Sequence, residues 1–335
     1  MTAVRASDTL FDESNLTGTL VGLIPTGMKY FKIHLAVFVI ATAALIAVAS
    51  FEAGPSRGQS QSGPKGSRVK PTVLVMDGHN DSAASKNEAS AFAPAAARNA
   101  VLRNDLTWIV GGKQQHGWYL YTPLISRMLN TEEDPGSNGF ARSLARWQAK
   151  SGLRPDGVLD EDSLMAMISA WQGARLKDHT YAQPDQLLTA PVSDFYDPER
   201  LEELRQVDRE TYAAYQRMVA AAVAEPSLHL AHDSDGRLAS SEKYLKIVSA
   251  FRSREYQDKL RRQSPNSGSA GLAVNSPHFT GRALDLYVGG DPVDTKDANR
   301  AIQVQTPVYL WLVRNAERFG FRPYYYEPWH WEYVK

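Results

Sequence analysis

The chain has 335 residues, of which 43% are hydrophobic and 22% are charged, as in an ordinary globular protein with room for about two domains. Its 37 Lys and Arg residues balance its 37 Asp and Glu residues, so the net charge does not favour nucleic acid as a partner. The absence of cysteine excludes disulfides and thiolate metal ligands, and it is compatible with an oxidising compartment.

The N-terminal part of the chain predicts a membrane segment. Residues 1–32 form a polar tail, and the following stretch, 33–52, contains an apolar run from Leu35 to Phe51 that is interrupted only by Thr42 and Ser50. A run of this length is at the short end of what spans a bilayer, so we expect a transmembrane anchor over 33–52. Small residues at 47–49 are typical of a cleavage site, which leaves a signal peptide as the alternative.

The next two stretches differ in composition. Residues 53–110 are rich in Gly, Ser, Gln, Pro and Ala, which predicts a flexible linker. Within residues 111–175, apolar residues at helical spacing from Phe140 to Gln148 precede a Pro-Asp-Gly turn and a second apolar run that begins at Ser163. This pattern predicts a helical hairpin.

The order of residues in this hairpin resembles the small helical peptidoglycan-binding domain that is attached to many cell-wall hydrolases. The similarity lies in apolar-x-x-Trp-Gln, Gly-Leu-x-x-Asp-Gly-Val-Leu and Ser-Leu, with departures at Trp147, Asp160 and Ser163. It implies that residues 111–175 bind peptidoglycan. A helical hairpin that only packs against its neighbour is the alternative.

Residues 190–335 mix strand and helix patterns without strict alternation, which predicts an α+β fold with a small, mainly antiparallel sheet. The expected elements are a helix over 198–224, strands over 245–251 and 283–288, a helix from Thr306-Pro307 to Gly320, and short strands over 322–326 and 331–334 that flank a turn at 328–330.

Two segments of this region carry chemistry, Ser276-Pro-His278-Phe-Thr-Gly-Arg-Ala-Leu-Asp285 and Glu327-Pro-Trp-His330. They offer two imidazoles, a carboxylate between leucines, and a second carboxylate close to the last histidine. A catalytic zinc ion takes three ligands of these types and keeps a fourth position for water, beside which a base is needed. The segments therefore favour a zinc hydrolase.

Both segments resemble the signature of the zinc D-alanyl-D-alanine carboxypeptidases and their L,D- and D,D-endopeptidase relatives, the vancomycin-resistance-type metallopeptidases. The shared pattern is Ser-x-His-x-x-Gly-x-Ala-x-Asp followed by Glu-x-Trp-His. An earlier segment, Ser249-Ala-Phe-Arg-Ser253, is similar to Ser-x-Tyr-Arg-Ser of that family, with Phe251 in place of Tyr. The resemblance covers residues 245–335.

The resemblance implies one zinc ion per chain, with the ligands His278, Asp285 and His330. It implies that Glu327 is the general base that deprotonates a zinc-bound water. It also implies that Arg252 stabilises the oxyanion or anchors a substrate carboxylate, and that Ser276 binds the substrate backbone.

The function implied is a zinc metallopeptidase that cleaves peptidoglycan stem peptides, as a D-alanyl-D-alanine carboxypeptidase. Such a protein would be anchored in the cytoplasmic membrane with its catalytic domain on the outer, periplasmic or extracellular side. A cell-wall endopeptidase has the same motifs and stays open. A non-catalytic peptidoglycan-binding envelope protein or a scaffold is a further alternative, against which Glu327 argues because a closed structural zinc site needs no base.

Overall fold

The computed structural model describes residues 91–110, 113–263 and 276–335. The expected polar tail, the expected membrane segment and most of the expected linker lie outside these ranges. Among the described residues, no helix combines the length and the apolar character that crossing a membrane requires.

The first half of the described chain is mainly helical. Its elements are α1 (Ala93–Asp105), the antiparallel hairpin of β1 (Thr107–Val110) and β2 (Lys113–His116), α2 (Thr122–Leu129), α3 (Asn138–Lys150) and α4 (Glu161–Ala174). Helix α1 falls in the range expected to be a flexible linker. Alanine has the highest helix propensity, and α1 buries Ala95 and Ala96 against Ala141 of α3.

The helical hairpin of α3 and α4 is confirmed, including its Pro-Asp-Gly turn. The buried side chain of Gln148 closes the turn, because its Oε1 accepts from the Gly157 backbone N–H at 2.8 Å and its Nε2 donates to Ser163 Oγ at 2.9 Å. Gly157 has a φ of 73°, and a Cβ there would lie 2.5 Å from the carbonyl oxygen of Ala141. Asn99 of α1 also donates to the Gly157 carbonyl, at 2.9 Å.

The second half is an α+β domain, as predicted. A small hairpin pairs β3 (Leu187–Thr189) with β4 (Gln206–Asp208), and the main sheet has the antiparallel order β5-β6-β8-β7. Its strands are β5 (Ile247–Ser249), β6 (Ala283–Leu286), β7 (Phe321–Tyr324) and β8 (Glu327–Tyr333). The helices are α5 (Arg209–Val223), α6 (Arg254–Gln263), α7 (Asp297–Gln303) and α8 (Pro307–Asn315).

Two expected elements of this domain are wrong in detail. The helix expected from Pro198 begins only at Arg209, because the preceding residues form β4, and Asp208 then caps the helix by accepting from Thr211 N–H at 2.9 Å. The segment 328–330 is not a turn but part of β8, and the chain turns at 325–326 instead. Pro328 is tolerated there because the β7–β8 register is irregular and the pairing with β6 has already ended.

The helical half and the α+β domain share one hydrophobic core. Trp171 of α4 stacks on Tyr325 with ring centroids 6.3 Å apart, and Tyr121 contacts the same ring at 5.7 Å. Helix α8 packs on α2, and α4 packs on β7. The buried guanidinium of Arg300 adds a polar link, since its Nη2 donates to the Tyr121 hydroxyl at 2.9 Å. The position of α4 is therefore fixed relative to the main sheet.

Candidate metal centre and active site

The sheet and one short turn bring the three expected metal ligands together. Asp285 on β6 lies directly opposite His330 on β8, so both side chains share one face of the sheet. His278 arrives on the single 3-10 turn Pro277–Thr280. Gly281 then adopts a φ of 70°, which lets the chain bend from that turn into β6.

The ligand atoms of the three residues converge on one oxygen. Asp285 Oδ1 lies 2.9 Å from His330 Nδ1 and 3.4 Å from His278 Nε2. The two imidazole rings meet edge to face, with centroids 5.0 Å apart. All three side chains are buried, and within the described residues no other three His, Asp or Glu side chains converge this closely.

Each histidine is oriented by a partner on its far nitrogen. His278 Nδ1 lies 2.7 Å from the Ala250 carbonyl oxygen, which can only accept, so Nδ1 donates and Nε2 keeps its lone pair. His330 is turned the other way, because its Nε2 donates to Glu332 Oε1 at 3.1 Å and leaves Nδ1 towards Asp285. Two imidazole nitrogens and a carboxylate oxygen are a donor set that zinc takes in catalytic sites. The residues fit the ion.

The ionisation of the three groups follows from their burial and mutual contacts. Burial opposes the charge of Asp285, but His278 and His330 outweigh it and hold the pKa of this carboxyl well below its usual range. Burial, helped by Arg252, lowers the pKa of His278 to about 4. Burial also opposes the charge on His330, yet its hydrogen bonds with Asp285 and Glu332 raise its pKa to about 9. Asp285 is therefore anionic and His278 is neutral, as metal ligands must be, whereas His330 must release a proton to bind a metal ion.

Arg252 lies behind the ligand carboxylate. Its Nη2 donates to Asp285 Oδ2 at 3.0 Å, and its Nε donates to Ser249 Oγ at 3.2 Å. This contact holds Oδ2 and leaves Oδ1 towards the two histidines. Ser276 caps the 3-10 turn, with its Oγ accepting from the His278 backbone N–H at 3.3 Å. The expected substrate contacts of Arg252 and Ser276 stay predictions.

Glu327 lies at the start of β8, beside the ligands. Its Oε2 is 4.0 Å from His330 Nδ1, and the side chain is 18% exposed, so it can be reached from solvent. Burial raises the pKa of Glu327 to about 7, against the opposing effect of His330. A carboxyl group with a near-neutral pKa beside a metal-ligand set is what a general base requires.

Two further residues of the site, Glu332 and its partner Arg175, were not predicted from the sequence. The fully buried carboxylate of Glu332 accepts from His330 Nε2, from Arg175 Nε at 3.1 Å and from the Leu176 backbone N–H at 3.0 Å. Residues two apart in a strand lie on one face, so a strand through 328–332 would have indicated Glu332. The expected turn at 328–330 concealed that relation, and no local signal indicated Arg175.

The fold and the site together define a class, an α+β hydrolase domain whose sheet presents a His-Asp-His set with a carboxylate beside it. Residues 204–335 match the family model VanY, described as D-alanyl-D-alanine carboxypeptidase, and this match supports the family that the sequence predicted for this part of the chain. No protein with a curated description matches the chain.

Proposed function

We propose that the protein is a zinc-dependent D-alanyl-D-alanine carboxypeptidase that removes the terminal D-alanine from peptidoglycan stem peptides. The observation that carries the proposal is the convergence of His278, Asp285 and His330 beside Glu327, within a domain of this peptidase family.

The three ligands would hold one zinc ion. When bound, zinc would act as a Lewis acid on the scissile carbonyl group and would make water a better nucleophile at neutral pH. The hydrogen bonds of His278 to Ala250 and of His330 to Glu332 fix which nitrogen each ring offers, so the site is oriented before any ion binds.

Glu327 would move the proton. Its carboxylate is close enough to the ligand set, 4.0 Å from His330 Nδ1, to accept a proton from the attacking water at an Oε atom. The same oxygen would then donate that proton to the amine of the departing D-alanine. Arg252 would hold Asp285 Oδ2 throughout, which keeps the carboxylate from rotating.

A peptidoglycan substrate implies that the protein works in the cell envelope. We infer that the catalytic domain lies on the outer side of the cytoplasmic membrane, with the apolar stretch 33–52 as anchor, because the substrate is found there. The segment 111–175 would contact peptidoglycan, an inference that rests on its sequence resemblance alone. No nucleic-acid partner is proposed.

The test is product analysis with the full chain. Purified protein with zinc is incubated with muropeptides that carry pentapeptide stems, and the products are weighed by mass spectrometry. Release of free D-alanine with a tetrapeptide stem is expected. Cleavage inside the stem or at a cross-link would indicate an endopeptidase instead, and binding to sacculi without any product would support the non-catalytic alternative.

A stem peptide with a blocked C-terminus distinguishes a carboxypeptidase from an endopeptidase. A stem peptide whose terminal carboxylate is amidated should be a poor substrate for a carboxypeptidase, because a neutral amide cannot accept the charge-assisted hydrogen bonds that a carboxylate accepts. An endopeptidase should cleave the amidated and free stems alike. Glu327→Gln serves as the inactive control in both arms.

A further inference from the structure

We propose that Arg175, at the C-terminal end of α4, is a positioning residue for the metal centre and couples the helical half of the protein to the ligand His330. The inference rests on the proposed function, since it takes His330 as a zinc ligand. Arg175 does not touch substrate or the reacting atoms in this scheme. It acts through Glu332 and Tyr324.

The first route runs through Glu332. Arg175 Nε donates to Glu332 Oε1 at 3.1 Å, and Arg175 Nη2 contacts the same oxygen. The arginine is itself held on α4, because its Nη1 donates to Gln172 Oε1 at 2.8 Å. Its side chain is only 13% exposed and that of Glu332 is 0% exposed, so water screens this ion pair little.

Glu332 passes this constraint to His330. The carboxylate oxygen that Arg175 binds, Oε1, is also the one that accepts from His330 Nε2 at 3.1 Å. A carboxylate in this position fixes both the tautomer and the ring orientation of a ligand histidine. Here the Glu332 carboxylate keeps a hydrogen on Nε2 of His330 and orients the ring so that Nδ1 faces Asp285.

The second route runs through an aromatic ring. The Arg175 guanidinium carbon lies 4.0 Å from the centroid of the Tyr324 ring, a cation–π distance. Tyr324 in turn meets the His330 ring edge to face, with centroids 6.0 Å apart. A single side chain, at the C-cap of α4, therefore supports His330 both by hydrogen bonds through Glu332 and by packing through Tyr324.

This support comes from outside the segment that the family model covers. Among the described residues, the hydrogen-bond donors to the Glu332 carboxylate other than His330 are Arg175 and the Leu176 backbone N–H, whereas the family match begins at residue 204. By contrast, the partners of His278 and Asp285 are Ala250 and Arg252, inside the match. One ligand of the three thus depends on the helical half of the protein.

The test uses the full chain and measures zinc binding rather than turnover. Zinc affinity is determined by competition with a chromogenic chelator, and the cobalt-substituted protein gives a visible spectrum that reports ligand geometry. Arg175→Met should weaken zinc binding about tenfold, the lower end of the usual effect of losing an outer hydrogen bond to a metal ligand. Arg175→Lys retains the positive charge but loses the planar guanidinium group with its several N–H donors, so the zinc affinity of this variant should be intermediate.

A matched control separates positioning from general loss of stability. Leu164→Ala leaves a cavity at a fully buried position of the same helix, α4, and removes no hydrogen-bonding group. It should lower the melting temperature while the zinc affinity and cobalt spectrum of the folded protein stay unchanged. If Arg175→Met does not fold, Arg175→Lys and Glu332→Gln carry the comparison.

Four outcomes are decisive. Wild-type zinc affinity and an unchanged cobalt spectrum in the folded Arg175 variants would overturn this inference alone. An equal loss of affinity in Leu164→Ala would also overturn it, since the effect would then be one of stability. Absence of zinc binding in the wild type, or full binding in His330→Ala, would overturn the proposed function together with the inference.

Discussion

Exchange of Glu327 for glutamine separates the general base from the ligands. Glutamine has the size and nearly the hydrogen-bonding reach of glutamate but cannot accept a proton from water. Since Glu327 Oε2 is 4.0 Å from His330 Nδ1 and outside the converging His-Asp-His set, Glu327→Gln should retain the full zinc content. Its turnover should fall by about 10²–10⁴-fold, the usual contribution of a positioned base, or about 2.7–5.5 kcal/mol of barrier.

The assay pairs turnover with metal analysis in three variants. Release of D-alanine gives kcat and KM, and elemental analysis gives zinc per chain. Asp285→Asn makes the same chemical change at a ligand and should lose zinc, while Glu203→Gln, on an exposed carboxylate, should change neither quantity. Near-normal turnover in a zinc-loaded Glu327→Gln protein would refute the role of base. Loss of zinc would make Glu327 a ligand and reopen the assignment of Asp285.

Three further predictions concern the metal, a turn and the core. His330→Ala should lower the zinc content sharply, as should a chelator in the wild type, and added zinc should restore activity only in the latter. Gly281→Ala should destabilise the fold more than Gly152→Ala in urea denaturation: both glycines have φ near 70°, but a Cβ at Gly281 would lie 2.8 Å from Asp208 N, whereas Gly152 faces open space. Near- and far-UV circular dichroism should report one cooperative thermal transition for the described helices and sheet, because they share a core.

Elements defined by neighbouring residues could be predicted from the sequence. Helix α8 opens at Thr306, whose Oγ1 accepts from Tyr309 N–H at 3.2 Å, and the following 3-10 turn ends at Gly320 with a φ of 90°. The same holds for the α3–α4 hairpin. Such cap and turn signals depend on a few adjacent residues, which is why they can be recognised locally.

Elements that depend on partners distant in the sequence could not be predicted from the sequence. Helix α5 begins at Arg209 rather than at the expected Pro198 because β4, which precedes it, pairs with β3. No pattern around Pro198 reveals this contact. The Pro328 segment entered a strand because of an irregular register with β7. The Arg175–Glu332 pair joins residues 157 positions apart, so only the three-dimensional fold brings it to the site.

The way each ligand is held explains why the helical half should tune the site rather than create it. His278 is oriented by Ala250 and Asp285 by Arg252, both within the α+β domain, and these contacts do not involve α4. In the part of the chain that the structure describes, His330 is the one ligand that Arg175 reaches through a hydrogen-bonded carboxylate, and Glu332 retains the Leu176 N–H when that arginine is replaced. Loss of Arg175 therefore loosens one of three ligands without removing its partner, which is why a reduced affinity is expected, whereas loss of His330 removes a donor atom outright.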